Sequence, residues 1–142
     1  MVKQISVILD NVPGTFLGIS ECLGDEGINV RAISVADTSD VSTVRFVTDD
    51  PVKTANVLKS HGYKTKIKDV IAVEIPDHPG GLVAVLRPLN AAKINVLYFY
   101  PYLGRGESWQ PIVILGVDKT EEALEILHKN WLHTFGNEIY NL

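Results

Sequence analysis

Cysteine is nearly absent: Cys22 stands alone in 142 residues. That excludes an internal disulfide framework and fits a reducing cytoplasm. Basic charge is also scarce, since 13 lysines and arginines against 17 acids leave a net charge of −4. With no basic block either, nucleic acid and an anionic membrane surface are not expected as partners. No apolar run approaches the roughly 18 residues that span a bilayer. The run after Met1-Val2-Lys3-Gln4 is too short for a signal peptide, so a cytoplasmic location is expected. Catalytic signatures are missing too: no nucleophile motif, no Walker-type phosphate loop, no Cys-x-x-Cys. His61, His128 and His133 fall at or after helix ends without metal-like spacing. The residues therefore predict no enzyme, no cofactor and no metal.

What the chain does have is a strand-to-helix turn, Asp10-Asn11-Val12-Pro13-Gly14-Thr15, after the apolar run Ile5 to Leu9. Pro13 suits a first helical turn, where its missing N–H costs nothing. Gly14 lets another group approach the backbone, and Asp10 or Asn11 can cap the helix start. Free amides at such a start suit a carboxylate or a phosphate.

The turn occurs twice. Pro76-Asp77-His78-Pro79-Gly80-Gly81 follows a second apolar run at an offset of 79 − 13 = 66 residues. The same offset joins Ile5 to Ile71, Leu23 to Leu89, and Asn29 to Asn95. After the second loop it becomes 69, pairing Asp49 with Asp118 and Leu58 with Leu127. The chain is thus a tandem duplication, which divides it into residues 1–69 and 70–142. Modules of that size bury limited core and are expected to lean on each other or on a second chain.

Periodicity predicts strands over 4–9, 29–36, 42–48, 63–68, 71–75, 96–100, 112–117 and 138–140. Helices are expected over 13–26, 50–60, 79–92 and 119–129, with Gly27 closing the first and Pro88 bending the third. Lys64, Lys66 and Lys68 suit a sheet edge. The loop 101–111 is longer than its counterpart at 37–40, and Gly104 and Gly106 would let it move as a lid.

Apolar strand, Asn-x-Pro-Gly, amphipathic helix, Gly-Ile-Asn-Val and a further strand resemble the ACT domain, a βαββαβ module that binds amino acids. Both halves fit. The resemblance implies an α+β fold of two ferredoxin-like modules in tandem, with antiparallel sheets and helices on one face. It implies a non-catalytic regulatory protein, a homodimer, and a ligand site at the turns: Asn11, Val12, Pro13, Gly14, Thr15, Asp77, His78, Pro79, Gly80 and Gly81. Tyr98 and Tyr100 alternate with Phe99 on one strand and are further candidates for ligand contact, although plain packing explains them equally well. Asn11 and Asp77 can accept from an ammonium group, and the apolar surroundings favour an apolar amino acid. The alternative is an interaction subunit of a separate biosynthetic enzyme, like the small regulatory subunit of acetolactate synthase. An RNA-recognition domain shares the element order. It needs aromatics on its central strands and a basic surface, and this chain has neither.

Overall fold

The computed structural model describes residues 1–142. Its contacts divide the chain into two units, Lys3–Lys68 and Asp69–Leu142 together with Met1–Val2.

The first unit holds β1 (Val2–Asp10), α1 (Thr15–Asp25), β2 (Val30–Asp37), β3 (Val41–Thr48) and α2 (Pro51–Ser60). In it β3 lies between β1 and β2, antiparallel to both. Alternate residues Ile5, Val7 and Leu9 of β1 point to the helices, as do Val44 and Phe46 of β3. There they meet Ile19 and Leu23 of α1 and Leu58 of α2. Period-2 strands and period-3.6 helices thus present their apolar stripes to one core. Asp50 caps α2 through its side chain, accepting from Lys53 N at 3.0 Å, and Pro51 fills the first position.

β4 (Thr65–Glu74) is one unbroken strand, where the sequence predicted two strands with Asp69 and Val70 between them. Val70 favours extended backbone, and a lone Asp69 with no glycine or proline beside it does not turn the chain. The second unit continues with α3 (Gly81–Ala91), β5 (Val96–Pro101), β6 (Ile112–Val117), α4 (Thr120–Lys129) and β7 (Thr134–Phe135). Its strand order is β7-β4-β6-β5, all antiparallel. Ile71 and Val73 face Val85, Leu89, Ala123 and Leu127 in a second core. α3 runs on through Pro88, which gives up only its bond to Ala84.

The expected final strand at 138–140 is instead a 3₁₀ helix, Asn137–Asn141. Glu138 accepts from Gly136 N at 3.0 Å, and Tyr102 Oη donates to Ile139 O at 2.9 Å. Side-chain partners of this kind compete with a ladder.

The duplication persists in fine detail. The β2/β3 register shifts between Val30 and Ala32, and the β5/β6 register between Val96 and Tyr98. Asp49 Oδ1 accepts from Asn29 N at 3.0 Å, and Asp118 Oδ1 from Asn95 N at 3.0 Å. Where Gly27 takes a left-handed φ of 69° after α1, Lys93 takes 59° after α3. The second unit differs on its other sheet face. Ile112 and Ile114 are buried there, and Gly106 of the long loop sits against Phe135 and Ile112. In the first unit that face leaves Ile8 exposed.

Candidate functional site

Each unit builds its turn the same way. Val12 N donates to Asp10 O and Thr15 N to Val12 O; one repeat on, His78 N donates to Pro76 O and Gly81 N to His78 O. Gly14 and Gly80 then occupy the N-cap in left-handed conformation, with φ of 87° and 85°. Pro13 and Pro79 therefore lie in the turn before the cap, not at the first helical position. No side chain caps either helix, so Asp10 and Asn11 do not play that part. The first helical bonds come from Gly18 N and Ala84 N. The amides of Phe16, Leu17, Leu82 and Val83 consequently have no helical acceptor, and the partial positive charge of the dipole gathers on them. Of the amides expected to meet an anion, those of Val12, Thr15, His78 and Gly81 are already engaged within the turn.

Both turns are tied to the loop between the next two strands. Asn11 N donates to Asp40 O at 3.1 Å and its Nδ2 to Thr38 O at 3.3 Å. In the second unit Asp77 N donates to Gln110 Oε1 at 2.9 Å, and Ile75 N to Pro111 O at 2.9 Å. Ser108 donates to Glu74, and Arg105 spends its guanidinium on Trp109 O. Gly106 packs on Phe135, so in this conformation the loop is held against the sheet.

The second turn opens on a groove of about 380 Å³ lined by Glu74, Asp77, His78, Gln110, Trp131 and His133, with Pro76 and Leu132 as apolar wall. His78 Nδ1 lies 2.9 Å from Pro79 O, which can only accept, so that nitrogen carries a proton and donates. The structure therefore brings Asp77 and His78 to one concavity. Asn11, Val12, Pro13 and Gly14 are exposed at the first turn, as Pro79 and Gly80 are at the second. Gly81 is buried under the Pro76 carbonyl.

Tyr98 and Tyr100 are elsewhere. Their rings stack at 6.3 Å, Tyr98 covering Gly116 and Tyr100 buried, and neither lines the groove. Glu74, Gln110, Trp131 and His133 were not legible as site residues. One signal was available for Trp131: the 69-residue offset aligns it with Gly62, a left-handed glycine. Cys22 is buried, and burial, followed by the nearby charges of Glu26 and Asp25, pushes its thiol up. A thiol held protonated is a poor nucleophile. No helix is long and apolar enough to cross a membrane.

Two ferredoxin-like modules in tandem, each with a glycine-capped turn at the start of its first helix, define a class of paired α+β modules. The family model for the ACT domain pair matches residues 1–140, and the chain belongs to that family. ACT domains are regulatory modules. No curated protein gives a significant match. Among solved structures, the chain is similar to protein BT0572 from Bacteroides thetaiotaomicron. The TM-score is 0.90 at 27% identity, over 99% of this chain and 96% of that one. The regulatory subunit of aspartate kinase from Thermus thermophilus shares the fold at a TM-score of 0.64 and 17% identity, covering 91% and 92%.

Proposed function

We propose that this ACT pair is a non-catalytic sensor that binds an α-amino acid with an apolar side chain beside the second turn. The observation that carries it is the groove itself. Carboxylates of Glu74 and Asp77 stand ready for an ammonium group, and apolar Pro76 and Leu132 are ready for a side chain. The Gln110 side-chain amide, whose oxygen accepts from Asp77 N, leaves its nitrogen as a donor for the carboxylate. The bound state is then passed to a separate enzyme. A division of labour of this kind is supported by the Thermus thermophilus fold neighbour, itself the regulatory subunit of an aspartate kinase.

The test is a melting screen of the twenty amino acids on the wild type and on Asp77→Asn. Saturation at a hundred times Kd adds about 2.7 kcal/mol of stability. For a chain of this size that raises the melting temperature by about 5 °C or more. Asp77→Asn, which removes a charge and leaves the backbone alone, loses most of the shift. Gly80→Val is the poorer probe, because a φ of 85° strains any branched side chain regardless of ligand. If no amino acid shifts the wild type at millimolar concentration, the interaction-subunit reading replaces this one.

The same regulatory reading calls for a homodimer. β2 and β5 each pair on one side only, and Ile33, Val35, Leu97 and Phe99 on them are exposed. Uncovered apolar edges of this kind invite a second chain. Light scattering is expected to give twice the chain mass at micromolar concentration. A lysine at Val35 or Phe99 is expected to weaken the dimer at least tenfold, and a monomer mass for the wild type contradicts the claim.

A further inference from the structure

Trp131 is in an expensive place. Its side chain is 94% exposed, so it gains almost nothing from packing in the isolated chain. Its backbone is left-handed, with a φ of 62°. That conformation crowds the Cβ of any L-residue, and a bulky residue there is uncommon. The duplicated copy shows what the position ordinarily takes, since Gly62 has a φ of 84° at the same point between helix and final strand. A strained backbone that carries a large exposed ring points to a use for the ring.

Trp131 lines the groove that also holds Glu74, Asp77, His78 and Gln110. Trp109 is a different case: it is exposed with a φ of 60°, but it has no counterpart in the first unit and closes a turn with Gly106 and Arg105.

We propose that Trp131 is the specificity residue of this groove, stacking on the side chain of an amino-acid ligand and favouring flat aromatic rings over aliphatic chains. The inference rests on the reading of the groove as an amino-acid site. Its chemistry is local. Carboxylates hold the ammonium, and the exposed indole is free to turn onto the ligand in an offset-stacked ring contact worth more than its area alone. A volume near 380 Å³ lies within the range of small-molecule sites and accommodates an aromatic amino acid. The first unit, with Gly62 at that point, has no such ring to offer, so the two turns would differ in preference.

The chain has two tryptophans, so Trp109→Phe leaves Trp131 as the sole indole. Its emission is titrated with phenylalanine, tyrosine and leucine, beside calorimetry and melting of Trp131→Gly and Trp131→Phe. Phenylalanine and tyrosine are expected to shift the emission and to bind at least tenfold more weakly to Trp131→Gly, with leucine affected less. Trp131→Phe is expected to retain most of the affinity. Ligand-free Trp131→Gly is expected to melt a few degrees higher, because glycine relieves the left-handed backbone.

If an amino acid stabilises the wild type but binds Trp131→Gly within twofold, the site stands and the role of Trp131 is overturned. If no amino acid stabilises the wild type or moves the Trp131 emission, the site itself is refuted. If Trp131→Gly melts lower, or converts a dimer to a monomer, the ring belongs to packing between copies and the proposal fails.

Discussion

Gly116→Val is expected to lower the melting temperature by about 6–12 °C, and Tyr98→Ala in the same chain to recover much of the loss. A Cβ at Gly116 would lie 2.2 Å from Tyr98 Cζ and 2.4 Å from Cε1, inside any permitted contact. The ring covers the glycine directly across the β5/β6 ladder. Pushing it aside forces off-rotamer geometry and spoils the stack on Tyr100, at about 3 kcal/mol, the upper part of the overpacking range. At this chain length each kcal/mol moves the midpoint by about 2–4 °C. The first unit shows the inverse solution. There Ala32 pairs with Val47 at the corresponding register, a small residue on the outer strand and a larger one within. Tyr98→Ala with Gly116→Val copies that pair. The double variant should lose at least about 1 kcal/mol less than the two single losses summed. Strict additivity in thermal melts would mean that the contact is not there.

Gly81→Ala is expected to cost about 4 kcal/mol, at the exceptional end for one methyl group. Its Cβ would stand 1.9 Å from Pro76 O and 3.0 Å from Pro76 C, both backbone atoms of the turn. A side chain could rotate away; a backbone carbonyl at the end of a buried strand cannot do so without moving Ile75. The cost is steric, because the φ of Gly81 is not in the left-handed region. Thr15 at the matching position gives the control. Thr15→Ala removes its 2.8 Å bond to Val12 O, an exposed contact, and should cost about 1 kcal/mol or less. Denaturant titration of both variants decides the matter. A loss below about 1 kcal/mol for Gly81→Ala contradicts the close approach.

The duplication was the most legible feature, because apolar spacing, Pro-Gly and Asn recur at a constant offset. The Asp50-Pro51 helix start was legible for the same reason: its chemistry is local. The continuity of β4 was hidden, since the charged stretch around Lys68 and Asp69 imitates a break in hydrophobic pattern. The 3₁₀ helix near Ile139 depends on Tyr102, 37 residues earlier in the chain, and no local signal reports that. At the groove, Asp77 and His78 follow from the turn, whereas Glu74, Gln110 and His133 reach it only through sheet pairing and loop placement. Tyr98 and Tyr100 had the right period, but the glycine opposite Tyr98 drew the ring onto the sheet.

The bond from Asp77 N to Gln110 Oε1 couples the long loop to the turn, at about 1 kcal/mol. Asp77 and Gln110 both line the groove, so a molecule that displaced either would loosen the tie between turn and loop. Coupling of this kind is reciprocal: the factor by which a ligand changes a partner's hold on the loop is the factor by which that partner changes the ligand's affinity.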